Sequence, residues 1–219
     1  ESKHYACLLQ WDNIYYQRPT QEYIHPKTTV RVGLVEWQMR SYKTLDDLFE
    51  QVELFVDAVS DYKSDFVLFP EYFNAPLMSK YNDKGESQAI RGLAKYTDEI
   101  RERFMNLAIS YNINIITGSM PYVKEDGLLY NVGFLCRRDG TYEMYEKLHV
   151  TPDEIKSWGL NGGKLLNTFD TDCAKIGVLI CYDVEFPELS RLMADQGMQI
   201  LFVPFLTDTQ NAYSLSLIH

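Results

Sequence analysis

Two rhythms of hydrophobic and polar positions run through this chain. Leu45, Leu48, Phe49, Val52, Phe55, Val56 and Val59 recur at helical spacing and predict an amphipathic helix. Ile100, Phe104, Leu107, Ala108 and Tyr111 predict a second one. Short apolar runs, several rich in β-branched residues, predict strands at Val30–Trp37, Phe66–Phe69, Ile113–Thr117, Leu166–Phe169, Ala174–Ile180 and Gln199–Val203. Tyr130–Arg137 and Thr141–Val150 predict a hairpin turning across Asp139-Gly140. A helix is expected over Pro187–Gln196, with proline in its first turn and Gly197 as its stop. Residues 74–97, with Gly85 and Gly92, read as a loop and a short helix, and Asn161-Gly162-Gly163 reads as a loop. Helices alternate with strands in the first half, and paired strands fill the middle. The pattern is that of an α/β layered protein with some antiparallel pairing.

Residues 1–29 are aromatic and polar without a clean period, punctuated by Pro19 and Pro26. They read as a linker or the tail of an upstream domain, followed by one domain over 30–219. The chain starts without Met and stops soon after an apolar strand, so both ends read as cut.

Composition narrows the function classes. The 219 residues are enough for one substantial core, and 46% hydrophobic with 24% charged residues is ordinary for a globular protein. A formal charge of −10 argues against a nucleic-acid partner, whose phosphates this surface would repel. No apolar run approaches membrane-spanning length and no signal peptide opens the chain, so a membrane is not expected as a partner. The 4 cysteines (Cys7, Cys136, Cys173 and Cys181) are far apart, as in a reduced, cytoplasmic protein rather than a disulfide framework. The 4 histidines (His4, His25, His149 and His219) lack metal-ligand spacing, and no glycine-rich phosphate loop follows a strand, so no metal or cofactor is expected.

The chemistry concentrates at strand ends. The run Ala174–Ile180 stops at Cys181, and polar residues and Pro187 follow. A cysteine on such a strand-to-helix turn is held clear of the sheet, with backbone N–H groups near whatever it attacks. A helix N-terminus there would lower its pKa. Glu71 ends the run Phe66–Phe69, where apolar walls would raise a carboxyl toward the range useful to a general base. In Thr141–Val150, alternation puts Tyr145, Lys147 and His149 on one face. An inward Lys147 would be a fixed cation suited to an oxyanion. Each residue also has an ordinary reading: a buried structural thiol, a solvated loop acid, a surface lysine. Glu154, in Thr151-Pro152-Asp153-Glu154, equally suits a helix start. Taken together, Cys181 would attack a carbonyl carbon, Glu71 would carry its proton to the leaving amine, and Lys147 would neutralise the oxygen. The N–H of Tyr182 is a candidate second donor.

Three segments carry a resemblance. Phe69-Pro70-Glu71-Tyr72-Phe73, Tyr145-Glu146-Lys147-Leu148-His149 and Ile180-Cys181-Tyr182-Asp183 with Phe186-Pro187-Glu188 resemble, in this order, the Glu, Lys and Cys motifs of the nitrilase superfamily of carbon-nitrogen hydrolases. The resemblance runs from about Val30 to about Asn211. It implies an α-β-β-α sandwich, a Glu-Lys-Cys triad and cofactor-free hydrolysis of nonpeptide C–N bonds. It makes Glu154 the second glutamate, which positions substrate and Lys147. It also implies a homodimer, with Pro187–Gln196 near the interface, although Leu189, Leu192 and Met193 suit a core equally well. Phe205–Asn211 resembles the family loop after the next strand. The family's further strands and C-terminal extension have no counterpart here, so the C-terminal part of the fold is expected to be missing. The family's basic residues after Asn211 are also absent from Tyr213–His219. Residues 1–27 resemble the junction that follows an acetyltransferase-like domain in bacterial relatives.

Three functions fit: a Cys-dependent amidase acting on a small amide, an acyltransferase using the same thioester, and a non-catalytic binding domain. The intact triad disfavours the last. Nitrilases of the family commonly carry Trp after the cysteine, and Tyr182 therefore favours amides over nitriles. Many relatives acting on carboxylate-bearing substrates have a basic residue where this chain has Glu185. An acid there predicts a cationic or neutral amide, unless Glu185 faces solvent.

Overall fold

The structure, a computed structural model, describes residues 15–16, 29–81 and 83–206. The reading of residues 1–29 as a linker or tail therefore falls almost wholly outside the described residues, as do Thr207–Asn211 and the tail after them. Twelve strands are present among the described residues: β1 (Tyr15–Tyr16), β2 (Val32–Leu34), β3 (Phe66–Leu68), β4 (Asn114–Ile116), β5 (Met120–Val123), β6 (Leu129–Cys136), β7 (Tyr142–Glu146), β8 (Leu160–Asn161), β9 (Leu165–Leu166), β10 (Thr168–Asp170), β11 (Lys175–Val178) and β12 (Ile200–Phe202). The α-helices are α1 (Leu45–Asp61), α2 (Glu86–Leu93), α3 (Thr97–Ser110) and α4 (Pro187–Asp195).

The larger sheet has seven strands. β2, β3 and β4 run parallel, and β4 then meets β6 antiparallel. β5 and β7 pair antiparallel with β6, and β8 pairs parallel with it. The smaller sheet has the order β10-β11-β12. β1 pairs parallel with β9, Tyr15 opposite Leu165.

Alternation along the strands sorts side chains into layers. In β3, Val67 joins the core shared with helices α1 and α3, whereas Phe66 faces the other way. Ile115 and Ile116 of β4 divide in the same manner. Phe66, Ile116, Leu135 and Tyr145 of the large sheet pack against Phe169, Ile176, Val178 and Phe202 of the small one. On the outer face of the small sheet, Leu179 packs with Leu189 and Met193 of α4. The layers therefore run helix, sheet, sheet, helix, each apolar face covered by the next. This is the expected α-β-β-α sandwich. Leu189 and Met193 serve this core, each 1% exposed.

Helix α1 begins where its sequence signals a start. The Thr44 hydroxyl accepts the Asp47 N–H at 3.0 Å, and the Asp47 carboxylate accepts the Thr44 N–H at 3.0 Å, closing a capping box. Leu45, Leu48, Phe49, Val52 and Val56 form its buried face. The hairpin turns at Asp139-Gly140, with Cys136 opposite Tyr142. Three details depart from the sequence reading. β5 is an additional strand, directed by Gly118 at φ +72°, where any Cβ would sit 2.0 Å from the Pro70 carbonyl. The expected strand Leu166–Phe169 is split between β9 and β10, and the loop read at Asn161-Gly162-Gly163 starts inside β8.

Candidate active site

Three strand ends converge. Glu71 follows β3, Lys147 immediately follows β7, and Cys181 follows β11 across Leu179-Ile180. Glu71 and Lys147 are each 2% exposed and Cys181 is partly exposed, so neither charged group is the surface residue that its type alone would suggest. Alternation had put Tyr145, Lys147 and His149 on one face, and the structure buries all three.

Cys181 sits at φ +48°, left-handed backbone that a non-glycine residue adopts at a cost on the order of 1–3 kcal/mol. The surroundings impose it: the Cys181 N–H donates to the Pro204 carbonyl at 2.9 Å, fixing the elbow to the segment after β12. A single 3-10 turn, Cys181–Glu185, follows before α4.

Lys147 is held by carboxylates. Its Nζ donates to Glu71 Oε1 at 2.9 Å and to both oxygens of Glu154 at 2.9 Å. Glu154 lies on a turn of π-helix, Glu154–Trp158. Such turns are rare and often mark functional sites. Glu154 also accepts the Tyr72 hydroxyl at 2.9 Å and the Thr151 N–H at 2.8 Å. Tyr72 adopts φ +52°, and its ring meets Trp158 edge-on at 5.3 Å. Glu71 Oε1 further accepts Asn131 Nδ2 at 2.9 Å, and Oε2 accepts the Leu206 N–H at 3.2 Å.

The proton affinities follow from this burial. Desolvation raises the Glu71 carboxyl above the ordinary carboxylate range, outweighing the charge and hydrogen bond of Lys147. Burial alone would lower the Lys147 ammonium, but the charges and hydrogen bonds of Glu71 and Glu154 hold it above an ordinary lysine. Burial, with the Glu71 charge added, pushes the Cys181 thiol up to about 12. The helix-terminus expectation of a lowered thiol is thus corrected, because a single 3-10 turn cannot outweigh a neighbouring carboxylate in a dry site. The thiol lies 4.0 Å from the Leu206 carbonyl, and the N–H of that same residue donates to Glu71 Oε2 at 3.2 Å, so Leu206 brings the nucleophile and the carboxylate to one corner of the site.

The other predicted site residues lie farther out. Tyr182 is half-buried with its ring edge-on to Phe186 at 5.2 Å. Glu185 ends the turn after Cys181 and is exposed, so the partly desolvated pocket assumed for it is not what surrounds its side chain. His149 Nδ1 lies 3.1 Å from the Asp183 carboxylate, and its ring stacks on Phe186 at 3.8 Å. Among the described residues, no group of three or more His, Cys, Asp or Glu is placed to hold a metal ion, and no helix is long and apolar enough to cross a membrane.

Sequence reading missed Tyr72, Asn131 and Asp183. Asn131 did leave a signal, a lone amide in a strand buried along its whole length. Asp183 was quoted within the cysteine motif without a role.

The carbon-nitrogen hydrolase family profile matches residues 31–216. The chain is 43% identical over 210 residues to a probable hydrolase, YhcX, of Bacillus subtilis, covering 95% of this chain and 41% of that protein. It is 31% identical to the omega-amidase NIT2 of Homo sapiens, covering 81% of this chain and 63% of that protein. The chain thus spans less than two thirds of these relatives. Among solved structures, Nit3 of Saccharomyces cerevisiae, of the nitrilase superfamily, superposes with a TM-score of 0.71 at 25% identity, covering 84% of this chain and 67% of that one. A mutant amidase from Nesterenkonia sp. AN1 in complex with acrylamide shares the fold, with a TM-score of 0.69 at 20% identity, covering 88% of this chain and 71% of that one.

Proposed function

Because the chain belongs to the carbon-nitrogen hydrolase family, we propose that it is a Cys-dependent amidase that cleaves the C–N bond of a small amide through a thioester. The observation that carries this reading is the convergence of three strand ends: buried Lys147 donates to buried Glu71 at 2.9 Å, and Leu206, whose N–H donates to Glu71, has its carbonyl 4.0 Å from the Cys181 thiol.

The steps follow from the proton affinities. A thiol pushed up to about 12 rests in its neutral form, and the Glu71 carboxylate takes the proton as sulfur attacks the amide carbon. The C=O electron pair moves onto oxygen, whose negative charge Lys147 stabilises. Collapse of this intermediate expels the nitrogen, which receives the proton from Glu71 and leaves as ammonia or an amine. Water then loses a proton to Glu71 and attacks the thioester, and the departing thiolate recovers that proton as the carboxylic acid is released. Glu154 and Tyr72 keep the ammonium of Lys147 in place. No step calls for a metal or cofactor.

The substrate is proposed to be a small amide, and Glu185, being exposed, gives no ground for a preference as to its charge. The named relatives include an omega-amidase and an amidase complexed with acrylamide, which supports amides over nitriles. The same acyl-Cys181 would serve acyl transfer if an amine replaced water. A homodimer in the cytoplasm is the proposed assembly and setting, and light scattering that reported only monomer would contradict the dimer. An acetyltransferase-like domain ahead of residue 30 is likewise a proposal, and it rests on the resemblance of residues 1–27 alone. The activity is tested by ammonia release from a panel of short aliphatic amides. Wild type should hydrolyse at least one, and Cys181→Ala should lose at least about a thousandfold in rate; equal activity in the two proteins would defeat the reading.

A further inference from the structure

Asn131 stands in the middle of β6, fully buried, and touches two members of the triad at once. Its backbone carbonyl accepts the Lys147 N–H at 2.9 Å. Its side-chain Nδ2 donates to Glu71 Oε1 at 2.9 Å, the same oxygen that accepts Lys147 Nζ. The amide oxygen Oδ1, also buried, has no hydrogen-bond partner among the described residues. A strand residue chosen for packing alone would be apolar here, as Leu129 and Leu135, two positions before and four after it on the alternation, are. The half-satisfied amide therefore points to the bond it does make.

We propose that Asn131 is a positioning residue for proton transfer: it holds the Glu71 carboxylate in register with Lys147 and favours its ionised form. The inference rests on the reading of Glu71 as the base. A hydrogen bond donated to a carboxylate stabilises the charge and so opposes burial. The other groups facing Glu71 are Lys147 and Glu154 across the site, the Cys181 thiol on its elbow, and Tyr72 next in sequence. Of these, Glu154 disfavours the charge on Glu71, and Lys147 favours it. Asn131 adds a donor that carries no charge of its own and does not titrate. It can therefore set the pH at which Glu71 becomes competent without changing the charge of the site.

The test uses the rate of Cys181 alkylation by iodoacetamide, followed by mass spectrometry across pH, in wild type, Asn131→Leu, Asn131→Asp and Glu71→Gln. In wild type the rate should rise as Glu71 ionises and begins to accept the thiol proton. Asn131→Leu, similar in size but without a donor, should move this rise upward by about one pH unit. Asn131→Asp, which keeps the shape and adds a like charge, should move it further and decides the matter if the leucine variant does not fold. A rise at the wild-type pH in both variants, or a uniform loss of rate at every pH, would overturn the inference. Glu71→Gln separates the two ideas. If it keeps the wild-type rise, the reading of Glu71 as base fails. If it abolishes the rise while the Asn131 variants leave it unmoved, only the role of Asn131 fails.

Discussion

Asp183, two residues after Cys181, accepts the backbone N–H of His149, two residues after Lys147, at 2.7 Å. The same buried carboxylate accepts the N–H of Leu148 at 3.1 Å and that of Ile180 at 3.4 Å. It therefore ties the segment carrying the cation to the elbow carrying the nucleophile, across the gap between the two sheets. Asp183→Asn would turn an N–H₂ group toward N–H donors and leave at least one unsatisfied, at roughly 1–3 kcal/mol. For a chain of this size, roughly 2–4 °C of melting temperature is lost per kcal/mol. The expected result is a melting temperature lower by several degrees together with at least about tenfold lower kcat. Wild-type values for both would refute this clasp.

Lys147 makes a sharper case. Its compact ammonium reaches three carboxylate oxygens from two glutamates. A planar guanidinium keeps the charge but cannot match that geometry in a buried site. Lys147→Arg should lose about a hundredfold or more in kcat, measured as amide hydrolysis. An arginine variant of full activity would show that charge alone suffices.

Glu185 bears on substrate charge. Because its side chain is exposed, its effect on a bound charge is limited to that of a surface pair, about 1 kcal/mol at most. Glu185→Arg, which reverses the charge, should therefore change kcat/KM for either an amino-terminated or a carboxy-terminated amide of matched length by no more than about thirtyfold, the first falling and the second rising. A larger swing would place Glu185 against the substrate. A wild-type preference for the carboxy-terminated amide, unaltered in the variant, would remove any role for it.

The parts of this molecule that were legible in the sequence are those governed by local pattern. The period of Leu45–Val59 announced α1, Asp139-Gly140 announced the hairpin, and strand alternation put Lys147 on one face with Tyr145 and His149, though which way that face points was not legible. The strand-end positions of Glu71 and Cys181 were legible for the same reason: polar residues stopping apolar runs. What escaped depends on contacts distant in sequence. Asn131 meets Glu71 from 60 residues away, and Tyr72 meets Glu154 from 82. No periodicity encodes those encounters. The raised thiol was missed because a pKa depends on what is packed around it: burial, with the Glu71 charge added, outweighs the turn. β5 was hidden because Met120–Val123 is short and contains Pro121, which argues against a strand read in isolation.

The central claim is that Cys181 becomes acylated during turnover. The direct measurement is acid-quench mass spectrometry of the protein mixed with butyramide, with peptide mapping of any adduct. The expected result is a single butyryl group on Cys181, removable by hydroxylamine, absent from Cys181→Ala and greatly reduced in Glu71→Gln. Hydrolysis of the amide with Cys181 unmodified throughout, or an acyl group found on another cysteine, would contradict it.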